Sequence, residues 1–148
     1  MTPVEYFLGE HADLRSLMAA MTDLFPRNED FRMDPVAPDI LAQFKKIRGI
    51  LITKLGDHEV RLDRFFQDVI EAVDENIEPL IRTVRSDHDS IKDIFSILFA
   101  LEHRAEKRTL YSFNFILSSL VYKLERHFNF EEKDVFPLFK RLPASFAQ

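Results

Sequence analysis

Leu124-Glu125-Arg126-His127-Phe128-Asn129-Phe130-Glu131-Glu132 sets a histidine and a carboxylate four residues apart. Upstream, Phe113, Leu117, Leu120 and Leu124 recur at spacings of three and four, so the segment reads as an amphipathic helix with His127 and Glu131 on its buried face. Residues i and i+4 lie one above the other on a helix, and this pair can offer a nitrogen and an oxygen to one point. Taking an unpaired carboxylate out of water costs several kcal/mol, which makes a cation beside Glu131 the natural expectation.

The same period runs through three earlier segments. Thr2-Pro3-Val4-Glu5 supplies an N-cap threonine, a proline at the first helical position and a glutamate three residues after the cap, the pattern of a capping box. The helix it opens carries Phe7, His11, Leu14, Met18, Met21 and Phe25 on one stripe and is expected to stop at Pro26. Residues 26–38 hold three prolines and no period, and read as a loop crossing the bundle. A second helix from about Pro38 keeps Phe44, Ile47, Leu51, Leu55, His58, Leu62, Phe65 or Phe66, and Val69 on one face, with Gly56 a weak point where a kink or local unwinding is expected. After a turn at Val73-Asp74-Glu75-Asn76, a third helix presents Ile81, Val84, His88, Ile91, Phe95, Leu98 and Glu102 and is expected to end near Lys107. The fourth is the opening segment, ended or kinked by Pro137. Four long helices with one long connection define an all-α, antiparallel four-helix bundle running up-down-up-down.

Composition agrees. With 148 residues the chain suits one domain, residues 1–148, with a sizeable core, and only three glycines argue against a turn-rich β protein. A net charge of −5 spread over mixed-sign segments leaves no basic stripe for nucleic acid. No stretch has the length of an apolar membrane span and the first ten residues lack the features of a signal peptide, so the expected location is cytoplasmic. The absence of cysteine excludes thiolate ligands, disulfides and iron–sulfur clusters. Any metal must be held by histidines and carboxylates.

Four of the five histidines, His11, His58, His88 and His127, fall on the apolar seams of four different helices. One seam histidine is ordinarily a hydrogen-bonded core residue. Four of them would need four separate sets of partners, whereas a single metal centre in the middle of the bundle satisfies all. His103, between Glu102 and Arg104, is assigned to solvent.

The arrangement resembles the hemerythrin-like, or HHE cation-binding, family of four-helix bundles. The resemblance rests on Gly9-Glu10-His11-Ala12-Asp13-Leu14-Arg15, Leu55-Gly56-Asp57-His58, Asp87-His88 with Ile91, and most specifically the run from His127 to Pro137. The histidines are separated by 47, 30 and 39 residues, as one per helix at similar depth would require. The resemblance implies a non-haem iron centre with His11, His58, His88, His127 and Glu131 as metal ligands, Glu131 bridging two irons. Zinc, manganese and nickel also accept imidazole and carboxylate.

The family normally repeats His-x-x-x-Glu in the second helix, and here Leu62 stands at the carboxylate position. Asp63 would be rotated about 140° from His58 on a regular helix, and only a π-type turn would return it to the seam. It is otherwise a solvent-facing neighbour, as Glu132 is on helix four. Glu59 points about 100° away, toward the charged outer face. A mononuclear site or metal-free folding thereby becomes an alternative, and without a cation Glu131 would be protonated or bonded to a histidine.

The implied function is binding or sensing of O2 or NO at iron, with Phe7, Leu51, Leu62, Phe95 and Leu120 as an apolar wall around the centre. Repair of iron–sulfur clusters is a weaker expectation, since the cysteine-containing segment of such relatives is missing. The competing expectation is a regulatory or interaction bundle that has lost its metal. Residues 94–101 and 110–117 are apolar over more than one stripe, which fits either a self-association surface, hence a homo-oligomer, or central helices with wide core faces. No hydrolase triad or phosphate loop is present.

Overall fold

The computed structural model describes residues 1–25, 34–70, 72, 76–104 and 109–140. Four helices carry the chain: α1 (Pro3–Thr22), α2 (Pro38–Val69), α3 (Glu78–Glu102) and α4 (Leu110–Phe130). A single π-turn, Glu131–Val135, joins α4 to a short α5 (Phe136–Phe139). Among the described residues there is no strand, only an isolated bridge of Pro35 to Thr109 that ties the approach to α2 to the start of α4. No described helix is long and apolar enough to cross a membrane.

The starts follow the local chemistry. The Thr2 hydroxyl accepts from the Glu5 N–H at 3.1 Å and the Glu5 carboxylate from the Thr2 N–H at 2.8 Å, completing the expected capping box. Thr109 caps α4 by accepting from the Ser112 N–H at 3.1 Å, and Asn76 takes the Glu78 N–H at 3.2 Å just ahead of α3. Two expectations fail here. The second helix runs as unbroken α-helix through Gly56, because Leu55 and His58 on either side are buried and anchor the turn. The third stops at Glu102, where the His103 N–H closes a tighter turn onto the Ala100 carbonyl. Lys107, residues 26–33 of the first loop, most of the turn at residues 73–76 and residues 141–148 of the tail lie outside the described residues.

Buried side chains form two apolar clusters separated by a polar layer. At one end Met18, Met21, Phe44, Leu51, Phe95, Leu98, Phe113 and Leu120 pack together, with Phe25 stacked on Phe113 at 5.4 Å and Phe44 edge-on to both. At the other end Val4, Phe7, Leu62, Phe66, Val84, Val135, Phe136 and Phe139 pack together. Full burial of each such side chain contributes about 1.5–3 kcal/mol. The first cluster joins the end of α1 to the beginning of α2, and the second joins the beginning of α1 to the end of α2, which fixes the alternating direction of the helices. Phe66, not Phe65, takes the core place, and the expected wall of five residues is split: Phe7 and Leu62 lie on one side of the polar layer, Leu51, Phe95 and Leu120 on the other.

Glu102 is buried and held to α2 by Arg48 at 3.0 Å. His103 is exposed, as expected. The wide-core reading of residues 94–101 and 110–117 holds for Phe95, Leu98, Phe113 and Leu117, whereas Ile97, Phe99, Tyr111 and Phe115 are exposed.

Candidate metal centre

His11, His58, His88, His127 and Glu131 meet in the polar layer between the two clusters. Each histidine sits on its own helix near mid-length or at the last turn, where the seam period delivers it to the axis. The π-turn places Glu131. Pro137 has no N–H for the carbonyl of Lys133, and its ring would collide there in a regular helix. The Phe136 N–H instead reaches back five residues to the Glu131 carbonyl, and the chain continues into α5 without breaking.

His11, His58 and His127 direct their Nε2 atoms to one oxygen, Glu131 Oε1, at 3.0, 3.3 and 3.3 Å. His88 Nε2 faces His127 Nε2 at 3.0 Å. The second oxygen, Glu131 Oε2, is buried and has no hydrogen-bond partner. The ligand atoms fall into two groups, His11–His58–Glu131 and His88–His127–Glu131, each with its atoms within 4.8 Å of one another. Four imidazole nitrogens aimed inward, two of them at each other, and an orphaned carboxylate oxygen form a donor set suited to a positive centre. Either group could hold a cation, and Glu131 is common to both.

Outside the nitrogens lies a ring of carboxylates. Glu10 faces His58 Nδ1 at 3.3 Å, Glu59 faces His88 Nδ1 at 3.9 Å, Asp87 faces His127 Nδ1 at 3.2 Å and Glu132 faces His11 Nδ1 at 3.7 Å. Such partners fix ring orientation and leave the opposite nitrogen free for a metal. Each has a cation behind it: Arg61 on Glu10, Lys123 on Asp87 at 3.0 Å, Arg15 on Glu132 at 2.8 Å, and Lys92 near Glu59 at 4.0 Å. Arg15 also lies over Phe128, which stacks on the His11 ring at 4.3 Å.

Two expectations are corrected by this ring. Glu132 and Glu59 are not on the solvated face; their side chains are only 23% and 12% exposed. Asp63 does not replace the missing carboxylate. With α2 unbroken it stays off the seam and binds Arg85 at 2.6 Å. Leu62 is fully buried in the apolar cluster beside the layer, where it offers no donor atom. The outer carboxylates did leave a signal in the sequence: every residue of the inner set except His127 has an acidic neighbour one position away that belongs to the ring.

Charge in the metal-free layer follows from burial and contact. Burial would raise the Glu131 carboxyl, but its bonds to His11, His127 and His58 outweigh this and hold it well below 4.5. It is therefore ionised, and of the two metal-free expectations the histidine-bonded carboxylate is correct and the neutral acid is not. Burial would lower His58, yet Glu10 and Glu131 push it up to about 9; His127 is raised likewise by Glu131 and Asp87 against burial. His88 is pushed down to about 3 by burial and by repulsion from His127, and His11 is lowered by burial. His58 and His127, one in each group, are thus the imidazoles whose charged form the layer favours.

A pH dependence follows for the metal-free protein. His58 is protonated in the fold at pH values where the unfolded chain has lost that proton, so its contribution is full below about pH 6.5 and disappears as pH rises through about 9. His88 works the other way: neutral in the fold, it loses stability as pH falls from about 6.5 toward 3. Urea titrations in chelator should give greatest stability near pH 6.5, with a fall on the order of 3 kcal/mol by pH 10 from His58 alone. A flat profile between pH 6.5 and 10 would refute this charge assignment.

Geometry alone thus defines an all-α protein with a buried histidine–carboxylate layer suited to cations. Residues 79–148 match the family model of the hemerythrin HHE cation-binding domain. The matched part, somewhat under half of the chain, holds His88, His127 and Glu131, while His11 and His58 lie outside it and are brought to the same layer by the fold. No curated protein and no solved structure matches the chain.

Proposed function

We propose that this chain is a single-domain, cytoplasmic non-haem iron protein that binds or senses O2 or NO, with His11, His58, His88, His127 and Glu131 as the metal ligands. The observation that carries the reading is the convergence of three imidazoles on Glu131 Oε1 while Oε2 stays buried and unpaired. The match to a cation-binding domain supports a metal, and the nitrogen-rich donor set suits iron. Iron bound there would supply the open coordination position and the electrons for a diatomic ligand. The residues supply the rest: Glu10 and Asp87 orient His58 and His127 by hydrogen bonds, and the apolar clusters on both sides keep bulk water out.

The second reading, a metal-free regulatory bundle, is favoured by one observation: His58 and His127 are both raised beside ionised Glu131, so the layer can neutralise its own charge with protons. Metal analysis and the absorption spectrum of protein purified from iron-replete cells separate the two. Near two irons per chain, with charge-transfer bands that change on adding NO, is the expected result. Less than about 0.1 equivalent of any transition metal overturns the iron reading.

A further inference from the structure

We propose that Glu59 is a ligand of the His88–His127 half-site, supplying from the neighbouring position of α2 the carboxylate that Leu62 cannot. The inference rests on the metal reading above and concerns how this chain completes its own centre.

Four carboxylates ring the histidines, and three are pinned. Glu10 is held by Arg61 and His58, Asp87 by Lys123 and His127, and Glu132 by both terminal nitrogens of Arg15. Glu59 differs. Its side chain is as buried as that of Glu10, yet its contacts are His88 Nδ1 at 3.9 Å and the largely exposed Lys92 at 4.0 Å, both too long for hydrogen bonds. A carboxylate withdrawn from water without a close donor is in an unfavourable position, and a nearby cation is what relieves it.

The half-site beside it has the matching need. It holds His88, His127 and a share of Glu131, whose Oε2 is buried and unpartnered. His88 is also the imidazole with some exposure, 8% against 0% for the other three. It forms part of the wall of a groove of ≈ 470 Å³ between α2 and α3 whose other residues include Glu59, Asp63, Arg85 and Lys92. The other acids lining the groove are Asp63, which is tied to Arg85, and Asp89, which is exposed on α3. Glu59 is thus the carboxylate with freedom to turn and an imidazole of the half-site beside it.

The test is anaerobic titration with Co(II), followed by calorimetry and by the visible d–d bands, on the full chain and on Glu59→Gln and Lys92→Met. The wild type should take two equivalents. In Glu59→Gln the first should bind as before and the second more than about 100-fold more weakly, beyond the 10- to 100-fold that an outer partner commands. At saturation the bands of that second cobalt should change in intensity, because a ligand has been replaced. Lys92→Met frees Glu59 from its competing cation and should tighten the second equivalent several-fold. Equal affinities and spectra for wild type and Glu59→Gln would overturn the proposal while leaving two bound metals. A weaker second site with an unchanged spectrum would also overturn it, reducing Glu59 to a positioning partner of His88. A wild type that takes up no cobalt would overturn the metal reading and this inference with it.

Discussion

Glu131→Ala is expected to empty both half-sites and to destabilise the metal-free protein by about 3–5 kcal/mol. Both effects come from one oxygen pair. Glu131 is the member common to the two ligand groups, so its loss leaves two imidazoles on each side with no anion between them. Without metal, the same side chain is the acceptor for His11, His58 and His127, and its negative charge acts with Glu10 to raise His58 and with Asp87 to raise His127. Removing it leaves buried imidazoles facing one another across a cavity. At about 2–4 °C per kcal/mol for a chain of this size, the melting temperature in chelator should fall by on the order of 10 °C. Glu131→Gln keeps the shape and an acceptor oxygen, and should lose metal with a smaller loss of stability. Metal analysis and calorimetric melting of the two variants check this, and full metal retention in Glu131→Ala would show that the helix-four pair is no ligand.

Leu62→Glu should cost far less stability with metal than without it. Leu62 is fully buried among the apolar side chains next to the layer. In chelator the substitution loses that packing and buries an acid, a cost of roughly 3 kcal/mol or more. Loaded with metal, the variant regains a His-x-x-x-Glu pair on α2 and a second carboxylate for the centre. Binding to the folded state alone then offsets the cost, by about 2.7 kcal/mol when free metal stands hundredfold above its dissociation constant. Paired melting curves with chelator and with excess Fe(II) or Co(II) should therefore show a wider gap for the variant than for the wild type. Glu59→Gln should do much less damage in this background, since the carboxylate it removes has become redundant. An unchanged metal affinity in Leu62→Glu would mean that position 62 does not face the centre.

The helices and the convergence of the four histidines with Glu131 were legible because their signals are local or periodic. The capping box at Thr2 and Glu5 involves neighbours three residues apart, and the seam histidines repeat with the helix. Glu59 and Glu132 were misplaced for a physical reason. A residue one step from the seam lies about 100° around its helix, and whether that direction is solvent or the flank of another helix depends on packing. The end of α3 at Glu102 was equally hidden, because the apolar period gives no sign of where the backbone turns. The π-turn in the fourth helix was not read from the sequence, where such a turn came into question only in the second helix as the way to bring Asp63 to the seam. Gly56 had no need to yield, since the buried residues on either side hold α2 straight, whereas Pro137 forces the extra residue into the last turn of the fourth helix.

The carboxylate ring also records the handedness of the bundle. Glu10 and Asp87 precede their seam histidines on α1 and α3, while Glu59 follows His58 on the oppositely directed α2 and Glu132 follows the seam residue Glu131 in the π-turn that continues α4. One step backward on an ascending helix and one step forward on a descending helix turn the same way about the bundle axis. Each acid therefore leans onto the helix that comes next in the chain, and Glu132 closes the circuit onto α1. A mirror-ordered bundle with the same seams would bury the same apolar residues, but it would send all four acids to the wrong neighbour. Four charged side chains at single-residue offsets thus select one winding of the chain over its mirror topology, a choice that the apolar stripes by themselves leave open.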